Sequence, residues 1–325
     1  MRIAVDTMGS DNGSRPVIDA IKEFKKLYPN DEIIAFGKKE ELEEIKDIAQ
    51  IVDAPEVVPM EAGALEVIRM KNSSMCKAIS TMKEEGYDAV VSCGSTGGFL
   101  SAATLILKTI PGVRRAALVT AFPTKVKGKK VVILDVGASN DNSPEELVQF
   151  AYMGKAYNQT LYNTTEPKTY LLSNGAEDHK GSPTVKEANK LLRERHFEGF
   201  VGNMEARDVL SGRADILVAD GFSGNVLLKG MEGVAKMFGY MIKGAFKKNL
   251  WTKLGYLHVR KGFKNISDTM DYKSVGGAML LGVNGVVVKA HGNSDTYSFT
   301  SALKVAHQLA EFRMVEKIKE ALGNE

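Results

Sequence analysis

The sequence predicts an α/β protein built on a largely parallel sheet with helices on both faces. Two observations predict it. Short apolar runs alternate with longer segments of helical period along almost the whole chain, as strands joined by crossover helices do. Three of those runs, Ala89–Ser92, Val131–Leu134 and Ile216–Ala219, end in small, polar, glycine-rich loops. Strands buried on both faces read as unbroken apolar stretches, and glycine suits the sharp turn where a strand gives way to a helix.

Ile3–Val5 reads as the first strand, ahead of the polar loop Asp6–Pro16. Val17, Ile18, Ile21, Phe24 and Leu27 fall on one stripe, so Val17–Tyr28 is a helix. Glu32–Phe36 is a strand and the charged segment Lys38–Gln50 a helix. Met75–Glu85 is a helix leading into the strand Ala89–Ser92, and Phe99–Leu107 is an apolar helix. Ala116–Ala121 and Val131–Leu134 are strands separated by the basic, hairpin-like stretch Lys125–Lys130. Pro144 opens the helix Pro144–Tyr157, since proline is tolerated in a first turn. Thr169–Leu172 is a strand, Thr184–Arg195 a helix and Ile216–Ala219 a strand. Val226–Phe246 is a long helix, Val286–Lys289 a strand, and Thr300–Leu322 the closing helix. No repeat, low-complexity tract or linker interrupts the chain, so 1–325 reads as one unit. Two lobes, 1–120 plus 285–325 against 121–284, would have to arise by the chain crossing between them.

A length of 325 residues allows a substantial buried core. The formal net charge of +3 is too small to imply nucleic-acid binding. Two cysteines, Cys76 and Cys93, are too few for a disulfide framework or a zinc site, and a reducing cytoplasm fits. The first strand starts at Arg2, so no signal peptide is expected. No uninterrupted apolar stretch approaches the roughly 20 residues that span a bilayer. The sequence lacks G-x-G-x-x-G and G-x-x-x-x-G-K-[ST], which argues against a nicotinamide Rossmann site and a nucleotide P-loop. It also lacks the G-x-S-x-G elbow of serine hydrolases. No metal and no cofactor are expected.

The chemistry is concentrated in the loops. At the start of a helix, bare N–H groups can face an anion, and open α/β folds bind phosphate-bearing ligands beyond the carboxyl ends of their strands. The loops are Cys93–Gly98, with Ser95, Thr96 and Gly97; Asp135–Asn140; and Asp220–Asn225, with Ser223 and Gly224. All three are expected at one carboxyl edge, lining one crevice. For any one of them an idle turn is the plain alternative. Ser173–Gly181 follows a strand and crowds Asn174, His179 and Lys180 between glycines. It is either a solvated turn or an anion site, with Lys180 as point charge and His179 as acid or donor. His291, beside Gly292, either faces a site or caps. Cys93 ends an apolar strand, where a small buried hydrophobe outweighs a nucleophile. Met237, Phe238, Met241, Ile242, Ala245 and Phe246 form an apolar face, which over Val234–Met241 reads first as core packing. Lys243, Lys247, Lys248 and Lys253 then surround Leu250, Trp251 and Leu254, as on a membrane-surface segment or a dimer contact.

Taken in order, AVDTMGSDNG at Ala4–Gly13, GSTGG at Gly94–Gly98, LDVGASND at Leu134–Asp141, SNGAEDHKG at Ser173–Gly181, GNMEARD at Gly202–Asp208, DGFSGNVLLK at Asp220–Lys229 and GGAMLLGVNG with its trailing AHGNSD resemble the signatures of a known family. It is the bacterial phosphate acyltransferase of phospholipid synthesis, and the resemblance runs from residue 4 to about residue 310. It implies an isocitrate-dehydrogenase-like fold shared with phosphotransacetylases. It implies transfer of a fatty acyl group from acyl carrier protein to inorganic phosphate, a homodimer, and a cytoplasmic enzyme peripherally attached to membranes. The product would serve a downstream glycerol-3-phosphate acyltransferase. Carried onto this chain, catalysis falls to Lys180, His179 and Asn225. Phosphate and acyl-pantetheine contacts fall to Asp6, Gly9, Asp11, Asn12, Ser95, Thr96, Gly97, Asp135, Asn140, Asn174, Asn203, Asp220, Ser223, Gly224 and His291. Membrane contact falls to Phe246, Leu250, Trp251 and Leu254.

That chemistry is reasonable on first principles. A thioester is already activated and phosphate is a competent nucleophile, so the protein need only position a dianion and stabilise an oxyanion. Arg114, Arg115, Lys125–Lys130, Lys247 and Lys248 are candidate docking charges for an acidic carrier protein. Two rivals stay open: a short-chain phosphotransacetylase using coenzyme A, and a non-catalytic membrane scaffold acting through Ala245–Leu257.

Overall fold

A computed structural model describes residues 1–249, 251–252, 255–256, 258–260, 262 and 277–323. The apolar runs form β1 (Arg2–Asp6), β2 (Glu32–Gly37), β3 (Gln50–Asp53), β4 (Ala89–Ser92), β5 (Ala117–Pro123) and β6 (Lys130–Leu134). They continue with β7 (Thr169–Ser173), β8 (Phe200–Glu205), β9 (Ile216–Val218), β10 (Ala278–Leu281) and β11 (Val286–Lys289). Among the described residues these strands make one sheet, in the order β3-β2-β1-β4-β11-β10-β5-β6-β9-β7-β8. Register aligns Ile34, Ala4, Val90, Val287, Leu280 and Leu118 in a row across six strands. All six side chains fall in one core layer, because residues in register share a face of the pleat.

Helices cover both faces. α1 (Arg15–Leu27), α6 (Pro144–Tyr162), α7 (Pro183–Glu194), α9 (Thr296–Glu311) and α10 (Met314–Gly323) bury their apolar stripes on one side. α3 (Ala64–Arg69), α4 (Ser74–Glu85), α5 (Thr96–Leu107) and the first turns of α8 (Gly221–Lys247) pack on the other. The helix starts are specified locally. Ser95, Ser143, Asp220 and Asp295 each accept a backbone N–H from the first turn that follows.

The middle of the sheet departs from the parallel pattern. β5 pairs antiparallel with β6 and with β10, and β10 pairs antiparallel with β11. The β5–β6 and β10–β11 connections are too short for a crossover, which leaves antiparallel pairing as the only option. This reverses strand direction across the centre. β4 and β11 therefore end at one edge of the sheet, whereas β6, β9 and β7 end at the opposite edge. The expectation that Gly94–Gly98, Asp135–Asn140 and Asp220–Asn225 share a carboxyl edge is thus corrected: the first loop lies at one edge and the other two at the other.

Other boundaries also moved. The helix expected over Lys38–Gln50 is the short α2 (Lys39–Leu42), a 3-10 turn at Glu43–Ile45, and then β3. The closing helix is two helices, separated at Arg313 with φ 54°.

Candidate active site

The two sets of loops meet over the antiparallel centre. Leu118, Thr120 and Phe122 alternate along β5 and present one face, which forms the floor of a cavity of about 300 Å³. On one side stand Asn225, Leu228, Lys229 and Glu232 of α8, with Gly137 from the loop after β6. On the other stand Thr96, the first residue of α5, Lys289 at the end of β11, and His291 and Ser294 of the loop that follows it. Loops leaving opposite edges converge here because both α5 and α8 return over the same face of the sheet.

The walls are held by polar contacts that use up several of the expected site residues. Asp135 is fully buried. Its carboxylate accepts from the backbone of Leu118, Gly137, Ala138 and Ser139 at 2.9–3.0 Å and from Ser139 Oγ at 2.7 Å. With five donors satisfied inside the protein, it is a loop anchor. Gly137 has φ +129° and packs on the Asn225 side chain, so a Cβ there would crowd Asn225. Gly224 is packed so closely that a Cβ would overlap the Asp135 carbonyl. Asp220 caps α8 through Ser223 N at 2.8 Å, and Ser95 caps α5 through Gly98 N at 3.3 Å. Gly97, in the first turn of α5, and Asn140, on the loop after β6, are exposed.

Asp6 sits below the opposite wall. Its oxygens accept from Ser74 Oγ at 2.6 Å and Ser92 Oγ at 2.7 Å, and burial raises its carboxyl above the usual range. The loop that follows braces the His291–Ser294 turn. Asp11 N donates to the Gly292 carbonyl at 2.9 Å, and Asn12 Nδ2 donates to Asn293 O at 3.1 Å and Ser294 O at 3.2 Å. Gly9, with φ +77°, lets that loop pass against Gly94. Asp11 and Asn12 therefore position the turn that carries His291. His291 Nε2 lies 3.5 Å from Glu232 Oε1, an approach that holds the Glu232 carboxyl below its ordinary range.

The Ser173–Gly181 loop lies away from the cavity lining. It follows β7, at the same edge as the loops after β6 and β9. Asn174 Oδ1 accepts from Gly181 N at 2.9 Å, and Asn203 Nδ2 donates to the carbonyls of Glu177 at 2.8 Å and Lys180 at 3.4 Å. Asn203 is buried and shapes this loop, while His179 and Lys180 are exposed on it.

Sequence reasoning missed Lys289, Lys229, Glu232 and Ser294. Lys289 had a readable signal, a charge closing the all-valine run Val286–Val288. Burial lowers its ammonium to about 8, with Cys93, Asp6 and Asp11 pulling the other way. Burial pushes the Cys93 thiol up to about 12. A thiol this protonated and enclosed is a poor nucleophile.

The fatty acid synthesis protein family matches residues 1–317 of the chain. The chain belongs to this family. The phosphate acyltransferase of Exiguobacterium sp. is 39% identical over 332 residues, covering 99% of each chain. That of Petrotoga mobilis is 40% identical over 325 residues, covering 98% of this chain and 99% of the relative. This family member is an acyltransferase. Among solved structures, a branched-chain phosphotransacylase from Enterococcus faecalis superposes with TM-score 0.62 at 14% identity, covering 95% of this chain and 99% of the other. A phosphotransacetylase from Streptococcus pyogenes superposes with TM-score 0.57 at 20% identity, covering 98% and 93%. At such identities these likenesses establish the fold, and the mostly parallel α/β sheet of the acyltransferase is theirs. Of the membrane-contact candidates, Phe246 is half-buried against Tyr256, ring centroids 5.4 Å apart, and Trp251 is exposed. Leu250 and Leu254 lie outside the described residues. No helix among the described residues is long and apolar enough to cross a membrane.

Proposed function

We propose that this acyltransferase moves a fatty acyl group from the thioester of acyl carrier protein onto inorganic phosphate, giving the acyl-phosphate used in phospholipid synthesis. Phosphate attacks the thioester carbonyl directly: a P–O–C bond forms, the C–S bond breaks, and the carrier thiol leaves with a proton. The observation that carries this reading is the cavity itself. The start of α5, Lys229, Lys289 and His291 surround it, and helix N-termini and ammonium groups attract a dianion. The same groups favour the negative charge that develops on the carbonyl oxygen. Cys93, the thiol beside this site, is buried and protonated, which supports direct attack over an acyl-cysteine intermediate. The relatives' name supplies the phosphate acceptor, and the family's link to fatty acid synthesis supports a long-chain donor.

The loops after β6, β9 and β7 continue from the cavity along one edge toward Lys180. We assign that stretch, which includes Lys180, to the thioester arm. The exposed stripe Val234, Met237, Phe238 and Met241 of α8 suits a second copy of the chain, and the segment beyond it suits reversible membrane contact. Formation of acyl-phosphate by the purified protein tests the reaction. Long-chain acyl-acyl carrier protein plus phosphate is expected to give product, and acetyl-coenzyme A little. A preference for acetyl-coenzyme A would make it a short-chain phosphotransacetylase. No product from either would favour a scaffold.

A further inference from the structure

Lys289 is only 6% exposed, yet it lines the cavity. Among the described residues, its hydrogen bond is to the Ala290 carbonyl, leaving two of its three N–H donors for a ligand. Among the described residues no carboxylate reaches ion-pair contact with it, Asp6 and Asp11 acting only from farther off, and a buried ammonium without such contact is costly to keep. Five residues on, Ser294 is 2% exposed, lines the same cavity, and its Oγ has no hydrogen-bond partner among the described residues. Buried hydroxyls are ordinarily satisfied, and one that is not implies a partner still to come. A buried cation and a buried unpaired donor thus flank the first turn of α5, where the Ser95 cap takes Gly98 N and leaves the N–H groups of Thr96 and Gly97 to an anion. Lys229, across the cavity, is exposed, and water weakens its pull.

We infer that Lys289 Nζ and the Ser294 hydroxyl hold the attacking phosphate dianion, Lys289 as its fixed positive charge and Ser294 as a neutral donor. The assignment rests on the phosphate acyltransfer reading. The groups facing Lys289 are Asp6 from β1, Asp11 from the following loop and Cys93 from the end of β4. Lys229 and Glu232 stand on the α8 wall, and His291 lies on the loop that follows Lys289. The Lys289 ammonium is lowered to about 8 in the free enzyme. It is charged below that pH and neutral above it, so phosphate affinity falls as pH climbs past about 8.

The test uses Lys289→Met and Ser294→Ala in the full chain. Methionine matches the lysine stem and removes a buried charge, a change a core tolerates. Two measurements are made: the KM for inorganic phosphate from pH 7 to 9.5, and the shift of the thermal midpoint produced by inorganic phosphate alone. Lys289→Met is expected to raise the phosphate KM at least tenfold, to abolish the rise of KM above pH 8, and to lose the thermal shift. Its KM for the acyl donor should stay within twofold of wild type. Ser294→Ala should raise the phosphate KM three- to tenfold and keep the alkaline limb. If wild type forms acyl-phosphate but both variants keep its phosphate KM and thermal shift, the assignment is overturned and the reaction stands. If wild type forms none, the reading beneath it fails and the assignment falls with it. A Lys289→Met protein that does not fold transfers the decision to Ser294→Ala, for which an unchanged phosphate KM overturns the assignment.

Discussion

At the scale of single residues, the polar groups divide into those that build the walls and those that face the cavity. Asp135, Asp6, Asp220 and Ser95 spend their oxygens on the protein's own donors. Thr96, Asn225, His291 and Lys289 face the open volume. Lys180 belongs to neither group, because its loop is shaped from within by Asn203 while its side chain points to solvent. Lys180→Ala should therefore leave stability within about 0.5 kcal/mol of wild type. If Lys180 acts on the developing charge, turnover should drop about 100-fold or more. A folded variant with near-normal turnover would return Lys180 to the solvated turn. Cys93 gives the opposite expectation. It is fully buried, so Cys93→Ala should cost about 1 kcal/mol through the lost sulfur. With phosphate attacking directly, kcat should change less than threefold. A 100-fold loss of kcat in a folded Cys93→Ala enzyme would point instead to an acyl-thiol intermediate.

At the scale of elements, packing decides where α8 starts. Gly221 and Gly224 let its first turn press against the loop after β6, where a Cβ at position 224 would overlap the Asp135 carbonyl. The obstacle is backbone, which cannot swing aside as a side chain does. Gly224→Ala should therefore destabilise by about 3 kcal/mol, read as a lower denaturant midpoint, and should also shift Asn225 in the cavity wall. An alanine variant with an unchanged midpoint would mean that the loop yields freely. The sequence made α8 legible, but its start was set at Val226 because glycines at 221 and 224 read as loop; only the close approach of Asp135 explains them as helix. The two-faced α/β sheet was legible from the apolar runs. The reversal at its centre was not read, although the basic turn between β5 and β6 was, because the short β10 hides among glycines. That reversal governs the site. It sends the Gly94–Gly98 loop to the far edge and makes the meeting place a face of the sheet, over β5. Lys289 was passed over for a related reason: a strand-end lysine reads as solvated until the neighbouring loops are seen to bury it.

At the scale of the whole molecule, the question is what covers the far end of α8. Its first turns are packed, but Val234, Met237, Phe238 and Met241, expected in the core, are instead each about half exposed and recur at helical spacing on one stripe. Trp251, beyond the helix, is 82% exposed. An apolar stripe on a helix suits a second copy of the chain, whereas an isolated Trp beside Lys247 and Lys248 suits a lipid headgroup region. The two surfaces can be separated by mutation. Phe238→Glu places a charge in the stripe, and if a second copy packs there, the protein should elute as a monomer in size-exclusion chromatography. Trp251→Glu should leave the oligomeric state and the turnover of soluble substrate unchanged, since the residue is far from the cavity lining in sequence and fully available to solvent. It should nevertheless lose most of its sedimentation with anionic vesicles. Each basic residue near such a surface contributes about 1 kcal/mol, so a few lysines with one Trp give reversible attachment, and replacing the Trp by a carboxylate removes apolar area and adds repulsion together. High salt should release the wild-type protein for the same electrostatic reason. If Trp251→Glu sediments as wild type does, the membrane is contacted elsewhere. If it instead dissociates into monomers, the segment beyond α8 belongs to the interface between copies and not to a membrane contact.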